Sequence, residues 1–120
     1  MKVLIFGVSG NTGKLIAKRF LDRADIVYGV ARSKKGPSLK GLKYICGDVT
    51  ECSIVNNIPK DVDLVINLAG VQPSILKTSE RTNLEDTLEQ YVSVNIRGVF
   101  NVLEFCRKHG IKKYIYTTSH

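Results

Sequence analysis

Apolar and polar positions fall into short blocks along the chain. Val3-Leu4-Ile5-Phe6 is a continuous apolar run, and it predicts a buried strand over residues 2–6. Residues 12–22 carry Leu15, Ile16, Phe20 and Leu21 at the period of a helix, with these four as its buried stripe. Ile26 to Ala31 reads as a second strand, and Ser33 to Ser38, holding Gly36 and Pro37, reads as a loop. A third short strand spans Lys43 to Cys46 and ends at Gly47-Asp48, and residues 51–57 have room for one or two helical turns. Asp63 to Leu68 is a fourth strand, nearly all apolar, as expected where both faces of a sheet are covered.

The segment from Gly70 to about Thr82 is polar, contains Pro73, and is long enough to act as a binding loop. Thr82 or Asn83 then caps a long helix. Leu84, Leu88, Tyr91/Val92, Asn95, Val99, Val102/Leu103 and Cys106 recur along it at helical spacing. It closes at Lys108-His109-Gly110, with cations in the last turn and a glycine beyond. Lys113 to Thr118 is a fifth strand, and no repeat or low-complexity segment interrupts the series. Strands alternating with helices or loops predict one α/β domain over residues 1–120: a doubly wound parallel sheet of about five strands with helices on both faces. The strand order should reverse between the first and fourth strands. Ligands of such sheets sit at the carboxyl ends of the strands, beside that reversal.

Composition narrows the possibilities. An apolar content of 43% supports a packed core, and no apolar stretch approaches the roughly 18–20 residues that cross a bilayer. The chain opens directly on a strand, so neither signal peptide nor membrane span is expected. Cys46, Cys52 and Cys106 lack metal-ligand spacing, and His109 and His120 are the only histidines. Reduced packing thiols, a cytoplasmic location and no bound metal are therefore expected. The net charge of +7 fits a basic surface or an anionic ligand. Basic clusters lie at strand and helix ends without interleaved aromatic residues, which argues against a nucleic-acid-binding surface.

The chemistry concentrates at the strand ends. Gly7-Val-Ser-Gly10-Asn11-Thr12-Gly13 joins the first strand to the first helix with G-x-x-G-x-x-G spacing. Such a junction receives phosphate: the helix start offers unpaired N–H groups and partial positive charge, and glycines let a ligand approach the backbone. It is no nucleoside-triphosphate P-loop, because Leu15 stands where a metal-binding Ser or Thr is required and Val8 replaces the first glycine. About 20 residues beyond such a loop, NAD-binding folds place an acidic residue on the ribose 2′-OH. Here that place is held by Ala31, followed by Arg32. A guanidinium suits a 2′-phosphate, and Lys34 and Lys35 add to the positive field, so NADP is favoured over NAD.

Together these motifs resemble the short-chain dehydrogenase/reductase superfamily, and most closely its extended, NAD-dependent epimerase/dehydratase-like branch. Gly47-Asp48-Val49-Thr50 is similar to the family segment after the third strand. The resemblance implies that Asp48 takes the adenine amino group and that the Val49 N–H reaches the ring. Asn67-Leu68-Ala69-Gly70 resembles the segment after the fourth strand whose backbone lines the cofactor; extended members more often carry histidine at the first of these positions, and Asn67 is closer to the shorter, reductase-like branch. Asn95, Gly98, Asn101 and Leu103 match an N-x-x-G-x-x-N-x-L pattern in the long helix, where Asn95 props the active site.

The resemblance also implies hydride transfer at a carbonyl or alcohol of a small molecule. A tyrosine with a lysine four residues later serves as acid/base, and a strand-end hydroxyl orients the substrate. Ser119 is the best match to that hydroxyl and Thr118 the second. No tyrosine of this chain is followed by lysine at the fourth position. The expectation is thus a Rossmann-type cofactor-binding portion, truncated before the later strands and inactive alone, with a fifth-strand edge open to homodimer formation. A non-catalytic NADP-sensing module on the same fold is the alternative reading, and a basic nucleic-acid-binding protein a more remote one.

Overall fold

The computed structural model describes residues 1–70, 88–90 and 92–117. Five strands, β1 (Lys2–Phe6), β2 (Ile26–Ala31), β3 (Lys43–Cys46), β4 (Leu64–Asn67) and β5 (Lys113–Tyr116), form one sheet. Its order is β3-β2-β1-β4-β5, and every pairing is parallel. The strand order reverses between β1 and β4, as the alternating pattern predicts. The register aligns Phe6 with Val30 on one side and with Asn67 on the other, so the carboxyl ends of the three central strands lie side by side.

Alternation along β1 sorts the core into two layers. Leu4 and Phe6 point to one face, where Val65, Ile54, Val102 and Phe105 join them; Val3 and Ile5 point to the other, with Ala17, Val27 and Ile66. Each fully buried side chain of this size contributes about 1.5–3 kcal/mol of transfer free energy. The sheet is thereby sandwiched, with α1 (Asn11–Asp22) on one face and α2 (Val99–Lys108) with the 3₁₀ turn Cys52–Asn56 on the other.

Two expectations about the helices are corrected. On α1, Gly13 and Ala17 are the buried positions, with Ile16, Phe20 and Leu21 packed beside the core, while Leu15 is 58% exposed. Two small residues at i and i+4 let the helix axis lie close to the sheet, and this turns Leu15 out to solvent. The long helix is also not uniform. Ser93–Gly98 forms a wide π turn before α2 begins at Val99. A π turn carries extra backbone per turn and shifts the residues that face the core. Val94, Gly98, Asn101, Val102, Phe105 and Cys106 are buried, whereas Leu88, Val92 and Leu103 of the helical series are exposed. The proposed caps Thr82 and Asn83, with Leu84 and Tyr91, lie outside the described residues, as does most of the 70–82 loop. The strand expected over 63–68 pairs over Leu64–Asn67, and that expected over 113–118 pairs over Lys113–Tyr116.

No helix among the described residues is long and apolar enough to cross a membrane. Nor do the described residues include a group of three or more His, Cys, Asp or Glu side chains able to hold a metal ion.

Candidate functional site

The carboxyl ends of four strands open onto one cavity of about 240 Å³. β1 delivers Gly7, Ser9 and Gly10; β2 delivers Val30, Ala31 and Arg32; β3 delivers Gly47, Asp48 and Val49; β4 delivers Leu68, Ala69 and Gly70. Val94, from the π turn, closes the wall.

The glycine loop is held by backbone contacts. The Gly7 and Val8 N–H groups both donate to the Val30 carbonyl, at 2.8 and 3.2 Å. Gly7 has φ +84°, and a Cβ there would stand 2.8 Å from the Ala69 nitrogen, so only glycine fits between β1 and the β4 exit. Gly13 has a different task. A Cβ on it would come within 2.4 Å of the Gly7 carbonyl oxygen and 2.8 Å of the Val8 Cα. It seats α1 against the loop, and together with the exposed Asn11 and Thr12 it is not among the residues lining the cavity. No side chain caps the start of α1, and its first turn carries no acidic residue. The leading N–H groups and the positive end of the helix dipole are thus left for an anion.

Asp48 is oriented from within its own turn. Its Oδ1 accepts from the Thr50 N–H at 2.9 Å and from the Thr50 hydroxyl at 2.8 Å. Val49 is buried and held from behind: Gly98 approaches so closely that a Cβ would lie 2.8 Å from the Val49 Cγ2, and the Asn101 amide donates 2.8 Å to the Val49 carbonyl. Arg32 is exposed at the rim, and among the described residues it has no ion-pair partner.

The β4 exit is equally constrained. Asn67, 1% exposed, accepts from the Ala69 N–H at 3.1 Å and donates to the Tyr114 hydroxyl at 3.4 Å. Burial pushes the Tyr114 phenol above its ordinary range, which keeps this hydroxyl protonated. The Asn95 Oδ1 stands 3.3 Å from the point a Gly70 Cβ would occupy, so Asn95 borders the same exit. Tyr44 fastens the loop after β2: its one hydroxyl proton is shared between the Ala31 carbonyl, at 3.1 Å, and the Ser33 carbonyl, and burial raises its phenol as well.

Of the residues singled out in the sequence, Gly7, Gly10, Arg32, Asp48, Val49, Leu68, Ala69 and Gly70 converge on the cavity. Ser119 and Thr118 lie outside the described residues. Ser9, Val30, Ala31, Gly47 and Val94 line it too without having been singled out as contacts. Ser9 lies inside the glycine motif and Gly47 beside Asp48, so both had a signal, whereas Val94 reaches the wall only through the π turn.

The description "NAD dependent epimerase/dehydratase family" belongs to a family model that matches residues 3–120. A uronate dehydrogenase from Pseudomonas putida is 28% identical over 119 residues, covering 98% of this chain and 40% of its own length. Among solved structures, a mutant uronate dehydrogenase from Agrobacterium tumefaciens, complexed with NAD, superposes with a TM-score of 0.77 at 23% identity, covering 98% of this chain and 40% of that one. A UDP-galactose 4-epimerase reaches a TM-score of 0.79 at 20% identity, over 99% of this chain and 38% of its own. At these identities the superpositions show a shared fold. The chain spans about 40% of the length of the uronate dehydrogenase relatives it matches.

Proposed function

The chain belongs to the NAD dependent epimerase/dehydratase family, and from that premise we propose that its strand-end cavity holds an adenine dinucleotide, with NADP(H) preferred over NAD(H). One observation carries the reading: the glycine loop, Arg32, Asp48-Val49 and Leu68-Ala69-Gly70 come from four different strands and line a single cavity. The uncapped start of α1 and the glycine backbone beside it fit the pyrophosphate. The Asp48 carboxylate and the Val49 N–H fit the amino group and ring of adenine, and the β4 exit with Asn95 borders the nicotinamide end.

Preference for a 2′-phosphate rests on charge. The stretch between Asp25 and Asp48 contains Arg32, Lys34, Lys35, Lys40 and Lys43 and no acidic residue. A carboxylate at the end of β2 would accept a ribose hydroxyl and repel a phosphate; Ala31-Arg32 does the reverse. When bound, the dinucleotide supplies hydride transfer at a carbonyl or alcohol carbon. For the whole protein, we propose a reductase, epimerase or dehydratase acting on a small molecule, with Ser119 orienting the reacting oxygen on sequence grounds. A cytoplasmic location belongs to the same proposal.

Thermal unfolding of the chain with NADPH or NADH at equal concentration tests the reading. The melting temperature should rise with both and rise more with NADPH, because ligands that bind only the folded state stabilise it in proportion to the logarithm of their saturation. No rise with either contradicts it.

A further inference from the structure

The turn that presents Arg32 is fastened by side chains of β3, beside a backbone bond from the Gly47 N–H to the Ala31 carbonyl at 2.8 Å. The Tyr44 hydroxyl shares its one proton between the Ala31 and Ser33 carbonyls, on either side of Arg32. The Cys46 thiol, two residues on, donates to the Arg32 carbonyl at 3.4 Å. Farther along the turn, Gly36 lies flat on the Tyr44 ring: a Cβ at Gly36 would fall 2.4–2.7 Å from three of the ring carbons. One phenol therefore pins residues 31–33 with its oxygen and residue 36 with its face. Between those points stand Arg32, Lys34 and Lys35.

We propose that Tyr44 is the positioning residue for cofactor discrimination: it holds the Arg32–Gly36 turn in the one arrangement from which the guanidinium meets a 2′-phosphate on the adenosine ribose. This rests on the Arg32 reading given above. A long, exposed arginine loses rotamer and backbone freedom when it pairs with a phosphate. A turn already held at both ends leaves less of that freedom to be lost. The other polar contacts proposed for the nucleotide come from the ends of β1, β3 and β4, while β2 adds the apolar Val30 and Ala31 to the cavity wall. Tyr44 should thus act on the 2′-phosphate and leave the remainder of the adenylate alone.

The test compares adenosine 2′,5′-bisphosphate with adenosine 5′-monophosphate, by calorimetric titration of the wild-type chain, Tyr44→Phe, Gly36→Ala and Arg32→Ala. Tyr44→Phe keeps the ring and removes the hydroxyl, so packing is retained. It should weaken the bisphosphate roughly three- to tenfold, the worth of one hydrogen bond, and change the monophosphate less than about twofold. Gly36→Ala, which forces the turn off the ring, should give the same selective loss. Arg32→Ala should abolish the difference between the two ligands. Parallel loss of both ligands in Tyr44→Phe, or no loss of either, overturns the role of Tyr44 while the Arg32 result stands. Equal binding of the two ligands by the wild-type chain overturns the Arg32 reading and the Tyr44 inference with it.

Discussion

Asn101 donates a 2.8 Å hydrogen bond to the carbonyl of Val49 across 52 residues of sequence, and it is 7% exposed. This bond ties α2 to the segment that follows β3, directly behind the wall of the cavity. Replacing Asn101 by alanine leaves the Val49 carbonyl buried and unpaired, which costs about 1–3 kcal/mol. Urea unfolding should show a lower midpoint at an unchanged slope. An unchanged midpoint would show that the carbonyl finds another donor.

The first and second halves of the glycine loop should respond differently to a methyl group. At Gly13 the added carbon meets backbone atoms at 2.4–3.0 Å, which cannot rotate away, whereas at Gly10 the nearest atom is 3.8 Å distant. Gly13→Ala should destabilise the fold by roughly 1–3 kcal/mol or more, as overpacking does. Gly10→Ala should stay within about 1 kcal/mol of the parent, since its φ of −72° suits any residue. Circular-dichroism melts of the two variants decide it, and equal losses would contradict the packing role assigned to Gly13.

The three thiols separate by environment. Cys46 and Cys52 are exposed, and Cys106 is buried, with burial pushing its thiol up to about 11. At pH 8 a disulfide reagent should label two thiols on the folded chain and the third only after denaturation. The same burial sets a pH dependence. Below about pH 9 the thiol is neutral in both states. Between 9 and 11 the unfolded thiol releases its proton while the folded one retains it, so the unfolded state binds fewer protons and stability falls as pH rises. Tyr114, raised by burial as well, acts in the same direction above its ordinary value. Melting temperature should therefore decline from pH 9 to 11, and less steeply in Cys106→Ala.

Arg32→Ala isolates the 2′-phosphate. A charge-assisted pair is worth roughly 10- to 100-fold in affinity, so NADPH should weaken by that factor while NADH changes about twofold or less. Fluorescence titration with both nucleotides measures it. Equal weakening of the two would place Arg32 in general binding and not in discrimination.

Much of this arrangement is legible in the residues. The apolar runs at Val3–Phe6 and Leu64–Ile66, set among helical segments, are enough to predict a parallel sheet and its reversal between β1 and β4. The motifs that punctuate strand ends then fall together, because every strand of a parallel sheet ends on the same side. What sequence spacing misses depends on local backbone geometry. Leu15 has the right period for a buried face, yet α1 is seated by Gly13 and Ala17, and only the close approach of helix to loop reveals that. The π turn at Ser93–Gly98 displaces the core face of the long helix and brings Val94 to the cavity. Gly98 and Asn101 carried a sequence signal in their spacing, but their joint hold on Val49 requires the packed structure. Tyr44 carried none, since a tyrosine on a short strand is ordinary until Gly36 is found on its ring.

The central claim is that one cavity, built from the ends of four strands, holds an NADP-type nucleotide. Amide chemical-shift mapping of the isotopically labelled chain, titrated with NADP⁺, addresses it residue by residue. Shifts should concentrate at Gly7, Ser9, Gly10, Arg32, Val49 and Ala69, with Lys2, Ile26 and Lys113, at the amino ends of the strands, undisturbed. Shifts clustered away from the strand ends, or none at millimolar nucleotide, would contradict it.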